Sequence, residues 1–225
     1  MGAPGKVVLV GLNYRDHAEE AGLALPTSVM FGSIDGPIGG DMVVGPHSSI
    51  ILPTEAPDHV DYEAELAVVI GKPGKDIPAS RAWSHVAGLT GANDVSARDV
   101  QLAAMTGGVL VDPSGILRSK SFPAFKPMGP ALVTIEDFTR SLSLGVTTRV
   151  NGELRQDANT QNMVFSVPEI IAAVSASTPL EVGDVILTGT PSGVGLVSGR
   201  YLRPGDVVEV EVEGIGRLRN NVVSA

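Results

Sequence analysis

The order of apolar and polar positions along the chain predicts many short strands. The segment KVVLVG (6–11) is a short apolar run typical of a buried strand. The segment VVEVEVEG (207–214) alternates valine with Glu209, Glu211 and Glu213, so one face is expected in the core and the other in solvent. The segment LGVTTRVNGELRQ (144–156) predicts a hairpin that turns at Asn151–Gly152, a pair that accepts positive φ at both positions.

Helical patterns are short and few. In SVPEIIAAVS (166–175), Ser166 and Glu169 form a capping box, and Pro168 falls in the first turn, where it is tolerated. Two further segments predict helices ended by glycine: YRDHAEEAG (14–22), and PASRAWSHVAG (78–88) with Ser80 as N-cap and Gly88 as the stop. A fourth short helix is predicted in SARDVQLAAM (96–105). Residues 26–53 predict loops with room for one short hairpin, and residues 107–130 predict irregular structure.

Composition agrees with a strand-rich globular protein and excludes several functions. The chain has 225 residues, with 43% hydrophobic residues, 27 glycines and 16 prolines, and we expect one mainly β (α+β) domain over residues 1–225. The net charge of −9 and the absence of basic runs disfavour nucleic-acid binding. The lack of cysteine excludes disulfides and thiolate chemistry. The sequence has no apolar stretch of membrane-spanning length and no signal-peptide pattern, so we expect a cytoplasmic protein without a membrane partner.

The segment DYEAELAVVIG (61–71) differs from the amphipathic strand described above. Glu63 and Glu65 stand two positions apart and should project to one side of a strand, yet both faces become apolar further along. We therefore expect a strand that enters a two-sided core, with both carboxylates at its rim. A solvated face is the alternative. If the carboxylates are partly buried, either a paired base or a bound cation must compensate them.

Asp94 adds a third acid at the end of the apolar run GLTGAN (88–93). Together with Glu63 and Glu65 it makes an all-oxygen set, which suits Mg²⁺, Mn²⁺ or Ca²⁺ better than zinc or copper. The alternative is that Asp94 serves as a helix cap or turn residue. His17 and Glu20 stand at i and i+3 of a predicted helix and share a face, so Glu20 can orient the imidazole as a base.

Six motifs in this order resemble the fumarylacetoacetate hydrolase family, and they cover nearly the whole chain. They are GLNYRDHAEE, DYEAELAVVIGK, DVSARDVQ, SKSF, VNGELRQ and GDVILTGTPSGVG. The resemblance implies a mixed β-sandwich roll, a homodimer, and a catalytic Mg²⁺ or Mn²⁺. We expect a short member that begins at the catalytic domain, with residues 1–55 carrying an N-terminal strand and a lid helix.

The resemblance also assigns roles to individual residues. Glu63, Glu65 and Asp94 would hold the metal, and His17, Glu20 and Lys120 would be catalytic. Four further positions would lie near the substrate: Arg98, Gln101, Gly189 and Thr190. Residue by residue, each has a simpler alternative, such as a surface Arg–Asp pair in SARD or a strand-to-turn transition in TGTPSG.

The implied activity is hydrolysis of a C–C bond in acylpyruvate-like 2,4-dioxo acids, through a metal-stabilised enolate and a water activated by His17 and Glu20. Oxaloacetate decarboxylation and 2-hydroxymuconate-type isomerisation at the same site are alternatives, and a non-catalytic keto-acid or metal-binding protein is a third. The chain departs from the family pattern at Gly32–Ser33, at Pro123 and in TGGVLVDPSGILR (106–118), where substrate selection is expected.

Overall fold

The computed structural model describes residues 4–35, 42–106, 109–137 and 142–225. Its strands are β1 Lys6–Gly11, β2 Met30–Asp35, β3 Val43–Val44, β4 Ile50–Leu52, β5 Val60–Asp61, β6 Ala64–Ile70, β7 Val86–Asn93, β8 Ser96–Ala97, β9 Met105–Thr106, β10 Val109–Leu110, β11 Lys126–Val133, β12 Gly145–Val150, β13 Glu153–Asn159, β14 Val185–Leu187, β15 Val207–Val212 and β16 Gly216–Ser224. The α-helices are α1 Arg15–Glu20, α2 Arg98–Ala103, α3 Pro113–Ser119, α4 Val167–Ser177 and α5 Gly195–Ser198. Three 3₁₀-helices span Ala79–His85, Ile135–Asp137 and Thr160–Asn162.

The predicted mainly β fold with short helices is confirmed. A mixed seven-stranded sheet has the order β2-β1-β14-β6-β7-β11-β3, and a five-stranded sheet has the order β13-β12-β15-β16-β4. The main core fills the space between the two sheets, where Val8 and Leu66 of the larger sheet belong to the same apolar cluster as Val210 of the smaller one. This layering buries one face of each sheet, as in other β-sandwiches.

Strand β6 is central in the larger sheet and buried along its whole length. It pairs with β7 on one edge and with β14 on the other. Leu66 and Val68 pack into the main core, whereas Ala67 and Val69 pack into a second apolar cluster on the opposite face. The two-sided core predicted from the apolar run is therefore confirmed, and it holds the start of β6 rigidly.

The hairpin and the capping box are also confirmed. Asn151 and Gly152 have φ of 52° and 81°, and they join β12 to β13. At the start of α4, the Glu169 carboxylate accepts hydrogen bonds from the main-chain N–H and the hydroxyl of Ser166, at 2.7 and 2.6 Å. In β15 the valines alternate with Glu209 and Glu211 as predicted.

Two predictions of local structure were wrong. The helix predicted over 78–88 is a 3₁₀-helix that ends at His85. The residue before its first turn is Pro78 and not the predicted Ser80. Gly88 lies instead within β7, where a Cβ would approach the carbonyl oxygen of Val133 to 2.5 Å, so glycine allows close strand contact. Glu213 follows the last residue of β15 and is exposed, as predicted for the solvated face, and it accepts a hydrogen bond from Gly145.

Two segments predicted as loops contain regular elements. Residues 26–53 contribute strands β2, β3 and β4, with residues 36–41 outside the description. Residues 107–130 contribute α3 and the start of β11, with residues 107–108 outside the description. Asp112 caps α3 by accepting a hydrogen bond from Ser114 N–H, and Pro113 occupies the first turn. That Asp-Pro signal was present in the sequence and was missed.

Candidate metal and catalytic site

Three carboxylates converge where β6 begins and β7 ends. Glu63 immediately precedes β6, Glu65 is its second residue, and Asp94 immediately follows β7. The two strands are antiparallel, with Ala64 opposite Asn93, so their ends meet at one edge. One oxygen from each of the three residues lies within 4.8 Å of the others. We call these residues the carboxylate cluster.

The cluster lies deeper than the rim position predicted for it. Glu63, Glu65 and Asp94 are only 6%, 1% and 2% exposed. Glu63 also stands outside the regular strand, so its direction is set by the turn that enters β6 and not by strand alternation. The solvated-face alternative is excluded.

Glu63 is compensated by two cations. Its Oε1 accepts a hydrogen bond from Arg98 Nη2 at 2.7 Å, and its Oε2 accepts one from Lys120 Nζ at 2.7 Å. Burial alone would raise the pKa of Glu63, but the charges of Lys120 and Arg98 outweigh burial and lower that pKa to about 2. Glu63 is therefore an anion, and a paired base, one of the two remedies expected from the sequence, accounts for its charge.

Asp94 lies between two lysines. Its Oδ2 accepts a hydrogen bond from Lys120 Nζ at 2.6 Å, and its Oδ1 lies 2.7 Å from Lys126 Nζ. The Lys120 ammonium also donates to the hydroxyl of Ser96 at 2.9 Å. Burial lowers the pKa of Lys120, but the carboxylates of Asp94 and Glu63 outweigh burial and raise that pKa. Sequence reasoning missed Lys126, because no local pattern marks the lysine of FKPMGP as buried.

Glu65 has a different environment from that of Glu63, although only Ala64 separates them. Its Oε2 accepts a hydrogen bond from the main-chain N–H of Gly189 at 2.6 Å. Burial raises the pKa of Glu65, and the negative charges of Asp94 and Glu63 raise it further. A bound cation would relieve this repulsion.

The residues present fit a hard divalent cation. All three ligands offer carboxylate oxygens, the donors that Mg²⁺ and Mn²⁺ prefer. Within the described ranges, Oδ1 of Asp94 is buried and its close polar contact is Lys126 Nζ at 2.7 Å, which can occupy only one of the two lone pairs of this oxygen. A lone pair of Asp94 is therefore available to a metal.

Arg98 connects the cluster to a loop that follows β14. Its Nε donates to Oδ2 of Asp61 at 2.8 Å, and the carboxylate of Asp61 also accepts from the main-chain N–H groups of Gly195 and Leu196. Gln101 accepts a hydrogen bond from Arg98 at 2.7 Å. The surface Arg–Asp pair considered for SARD is wrong, because Arg98 is 3% exposed and pairs with Asp61 and Glu63.

The predicted His–Glu pair forms on α1. His17 Nδ1 lies 2.9 Å from Glu20 Oε1, and Glu20 Oε2 accepts a hydrogen bond from Gly193 N–H at 2.9 Å. Asp16 accepts from the hydroxyl of Ser192 at 2.9 Å. These contacts attach α1 to the loop after β14. Asn13, just before α1, donates to the Thr188 carbonyl oxygen and lies against Gly189, which binds Glu65, so the segment of α1 is anchored beside the carboxylate cluster.

Gly189 and Thr190 are engaged within the protein. Gly189 donates to Glu65, and its φ of 98° and its closeness to Asn13 require glycine. The Thr190 hydroxyl donates to the main-chain oxygen of Ala64 at 3.1 Å and accepts from Gln156 Nε2 at 2.9 Å. Gln156 also accepts from Ala64 N–H at 2.9 Å, so it joins β13 to the start of β6. Sequence reasoning missed Gln156.

Tyr14 precedes α1 and is fully buried. Its hydroxyl has no hydrogen-bond partner in the part of the chain that the structure describes. Burial raises the pKa of Tyr14, and the charges of Glu65 and Asp16 add to the shift, so this hydroxyl stays protonated.

Across the described ranges, no helix is long and apolar enough to cross a membrane.

The C-terminal fumarylacetoacetate (FAA) hydrolase model matches residues 6–223. Bos taurus oxaloacetate tautomerase FAHD2B, mitochondrial, is 45% identical over 223 residues, which cover 98% of this chain and 67% of the bovine protein.

Solved structures agree with that match. Fumarylacetoacetate hydrolase from psychrophilic Exiguobacterium antarcticum superposes with a TM-score of 0.84 at 40% identity, covering 99% of this chain and 76% of that one. The 5-carboxymethyl-2-hydroxymuconate delta-isomerase of Mycobacterium smegmatis superposes with a TM-score of 0.80 at 38% identity, covering 99% and 80% of the two chains. The chain therefore belongs to the fumarylacetoacetate hydrolase family.

Proposed function

We propose that this protein is a divalent-metal-dependent enzyme that interconverts the enol and keto forms of a 2-oxo dicarboxylic acid of the oxaloacetate type. The carrying observation is a buried carboxylate cluster that the structure joins to the segment of the His17–Glu20 pair: Gly189 binds Glu65 and lies against Asn13, just before α1. This arrangement supplies a cation site and a proton-transfer group. The names of the bovine tautomerase and the mycobacterial isomerase support enol–keto chemistry over the hydrolysis predicted first.

Glu63, Glu65 and Asp94 would hold the Mg²⁺ or Mn²⁺ ion. When bound, the ion supplies positive charge that stabilises an enolate oxygen of the substrate. Lys120 donates to two members of this cluster, Glu63 and Asp94, and would fix the direction of both carboxylates. Arg98 does the same for Glu63 from the other side and so acts as a positioning residue.

His17 would move the proton. In the tautomer that suits this role, Nδ1–H donates a hydrogen bond to Oε1 of Glu20, and Nε2 has a free lone pair. Nε2 then accepts the proton of the enol hydroxyl and returns a proton to the adjacent carbon, so the step is balanced without water. The hydrogen bond from Gly193 holds Glu20, and with it the ring, in place.

Hydrolysis of a 2,4-dioxo acid is the second candidate. It uses the same cation and the same base, but Nε2 would take a proton from water, and the C–C bond would break to give a carboxylic acid and a 2-oxo acid. Decarboxylation would need no attacking water and would release CO₂. In both cases Gln101, Gly189 and Thr190 remain proposed substrate contacts, although each is bound to a protein group in this structure.

One panel of assays tests these activities. Purified protein with Mg²⁺, Mn²⁺ or EDTA is mixed with enol-oxaloacetate, and the decay of enol absorbance is measured. In parallel it is mixed with acetylpyruvate and fumarylpyruvate, and the products are identified by NMR. We expect faster enol decay with metal only, and no such gain in His17→Gln. The control His85→Gln changes a half-buried histidine whose Nδ1 lies 3.0 Å from the carbonyl oxygen of Lys72, and it should behave as wild type. Cleaved acids without enol decay would favour the hydrolase, and activity that survives EDTA would refute the metal role.

Two further expectations remain proposals. The family resemblance supports a homodimer, which light scattering after size exclusion would test. Cytoplasmic location stays a prediction. The bovine relative is named as a mitochondrial protein, which is a reason to test the location.

A further inference from the structure

Lys126 is a charged residue that the proposed reaction does not use. It begins β11, and its side chain is fully buried. Its main-chain N–H donates to the carbonyl oxygen of Met42 at 2.9 Å, and the pairing of β11 with β3 fixes it opposite Val43. Burying a lysine is costly unless its charge is compensated, so its surroundings need an explanation.

Oxygen atoms surround the Lys126 amino group. Nζ donates to three main-chain carbonyls, those of Lys120, Phe125 at 3.2 Å and Val95 at 3.4 Å. The fourth oxygen is Oδ1 of Asp94, at 2.7 Å. A neutral amine has two N–H donors and a lone pair, and in this ring of oxygens the lone pair would have to point at an acceptor. The group is therefore an ammonium ion.

The two lysines treat Asp94 differently. Lys120 contacts Oδ2 at 2.6 Å, whereas Lys126 contacts Oδ1 at 2.7 Å and divides its remaining donors among main-chain carbonyls. Lys126 thus neutralises Asp94 from the side of Oδ1, and the second lone pair of that oxygen stays open to a metal. Because the ammonium touches a proposed metal ligand, it would also repel a divalent ion bound there.

We propose that Lys126 is a resident cation of the carboxylate cluster, which stabilises the cluster when no divalent ion is bound and weakens its affinity for that ion. This inference rests on the proposed metal site. It makes Lys126 a positioning residue that sets how readily the ion is exchanged, separate from the proton-transfer role given to His17.

The test measures Mn²⁺ binding and thermal unfolding of the full chain. Lys126→Met removes the charge at similar length, and Lys126→Gln removes it while keeping an N–H donor for the carbonyls. We expect the Kd for Mn²⁺, by calorimetry, to fall at least about tenfold in both variants. We also expect a lower Tm than wild type in EDTA and a larger rise in Tm when Mn²⁺ is added. Lys75→Met, which removes an exposed lysine charge, should match wild type in every measurement.

The outcomes separate this inference from the proposed function. If wild type and Lys75→Met bind no Mn²⁺, the metal site itself fails. If they bind Mn²⁺ and the Lys126 variants bind it equally or more weakly, the site stands and the role of Lys126 is overturned. If Lys126→Met does not fold in EDTA but folds with Mn²⁺, the stabilising role is supported. The Kd for Mn²⁺ is then measured with Lys126→Gln.

Discussion

The imidazole of His17 and the carboxylate of Glu20 form a pair one turn apart on α1, with Nδ1 2.9 Å from Oε1. The other oxygen of Glu20 is held by Gly193 N–H, in the loop after β14. Glu20 therefore bridges the ring of His17, on its own helix, and a loop more than 170 residues away in sequence. The ring is oriented through this bridge. This orientation suits a proton-transfer group.

Glu20→Gln should lower kcat with little change in KM. The amide no longer favours the proton on Nδ1, so Nε2 loses basicity, and general-base catalysis contributes about 10²–10⁴-fold in rate. Steady-state enol decay with Mn²⁺ measures both constants. Glu19→Gln, at the exposed neighbouring position, is the matched control. A Glu20→Gln enzyme with wild-type kcat would remove the pair from the mechanism.

Glu65→Gln should abolish stoichiometric Mn²⁺ binding while the protein stays folded. The amide oxygen can still accept from Gly189 N–H, but the ligand charge is lost. Calorimetric titration measures binding, and circular dichroism checks the fold. Glu209→Gln changes a glutamate of the solvated face of β15 and should bind Mn²⁺ as wild type does. Unchanged binding in Glu65→Gln would exclude Glu65 as a ligand.

Arg98→Met should reduce the free energy of unfolding by about 3–5 kcal/mol, because it leaves Asp61 and Glu63 buried without their shared cation. Urea unfolding followed by fluorescence of the single tryptophan measures this loss. Arg217→Met removes an exposed arginine paired with Glu211 and should cost less than about 1 kcal/mol. Equal losses in the two variants would contradict the structural role of Arg98.

The capping box of α4 should make a pH-dependent contribution to the free energy of unfolding. Hydrogen bonds from the Ser166 side chain and main chain lower the pKa of Glu169. A lowered folded-state pKa means that the contribution is present above the ordinary glutamate pKa and disappears as the pH falls below it. Glu169→Gln should therefore cost about 0.5 kcal/mol at neutral pH and less at about pH 3.

Urea unfolding at both pH values gives the difference between the variant and wild type. Glu181→Gln, at an exposed position before β14, controls for general charge loss. A deficit in Glu169→Gln that grows as the pH falls would contradict the sign.

Local patterns in the sequence determined the parts of the fold that local chemistry controls. The apolar run of β6 required burial on both faces, Asn151–Gly152 required a tight turn, and Ser166 with Glu169 required a helix start. The same patterns identified three acids whose oxygens the structure brings within 4.8 Å. They succeeded because strand burial, turn backbone angles and capping depend on neighbours a few residues apart.

Only the tertiary structure decided which charges meet. Asp94 lies 26 residues from Lys120 and 32 from Lys126 along the chain, and both lysines reach its two oxygens through the packing of β7 and β11. The pairing of Arg98 with Asp61 and Glu63 likewise replaced the local pair expected in SARD. Strand register and the cost of burying a charge select such partners, and neither is visible in a short segment of sequence.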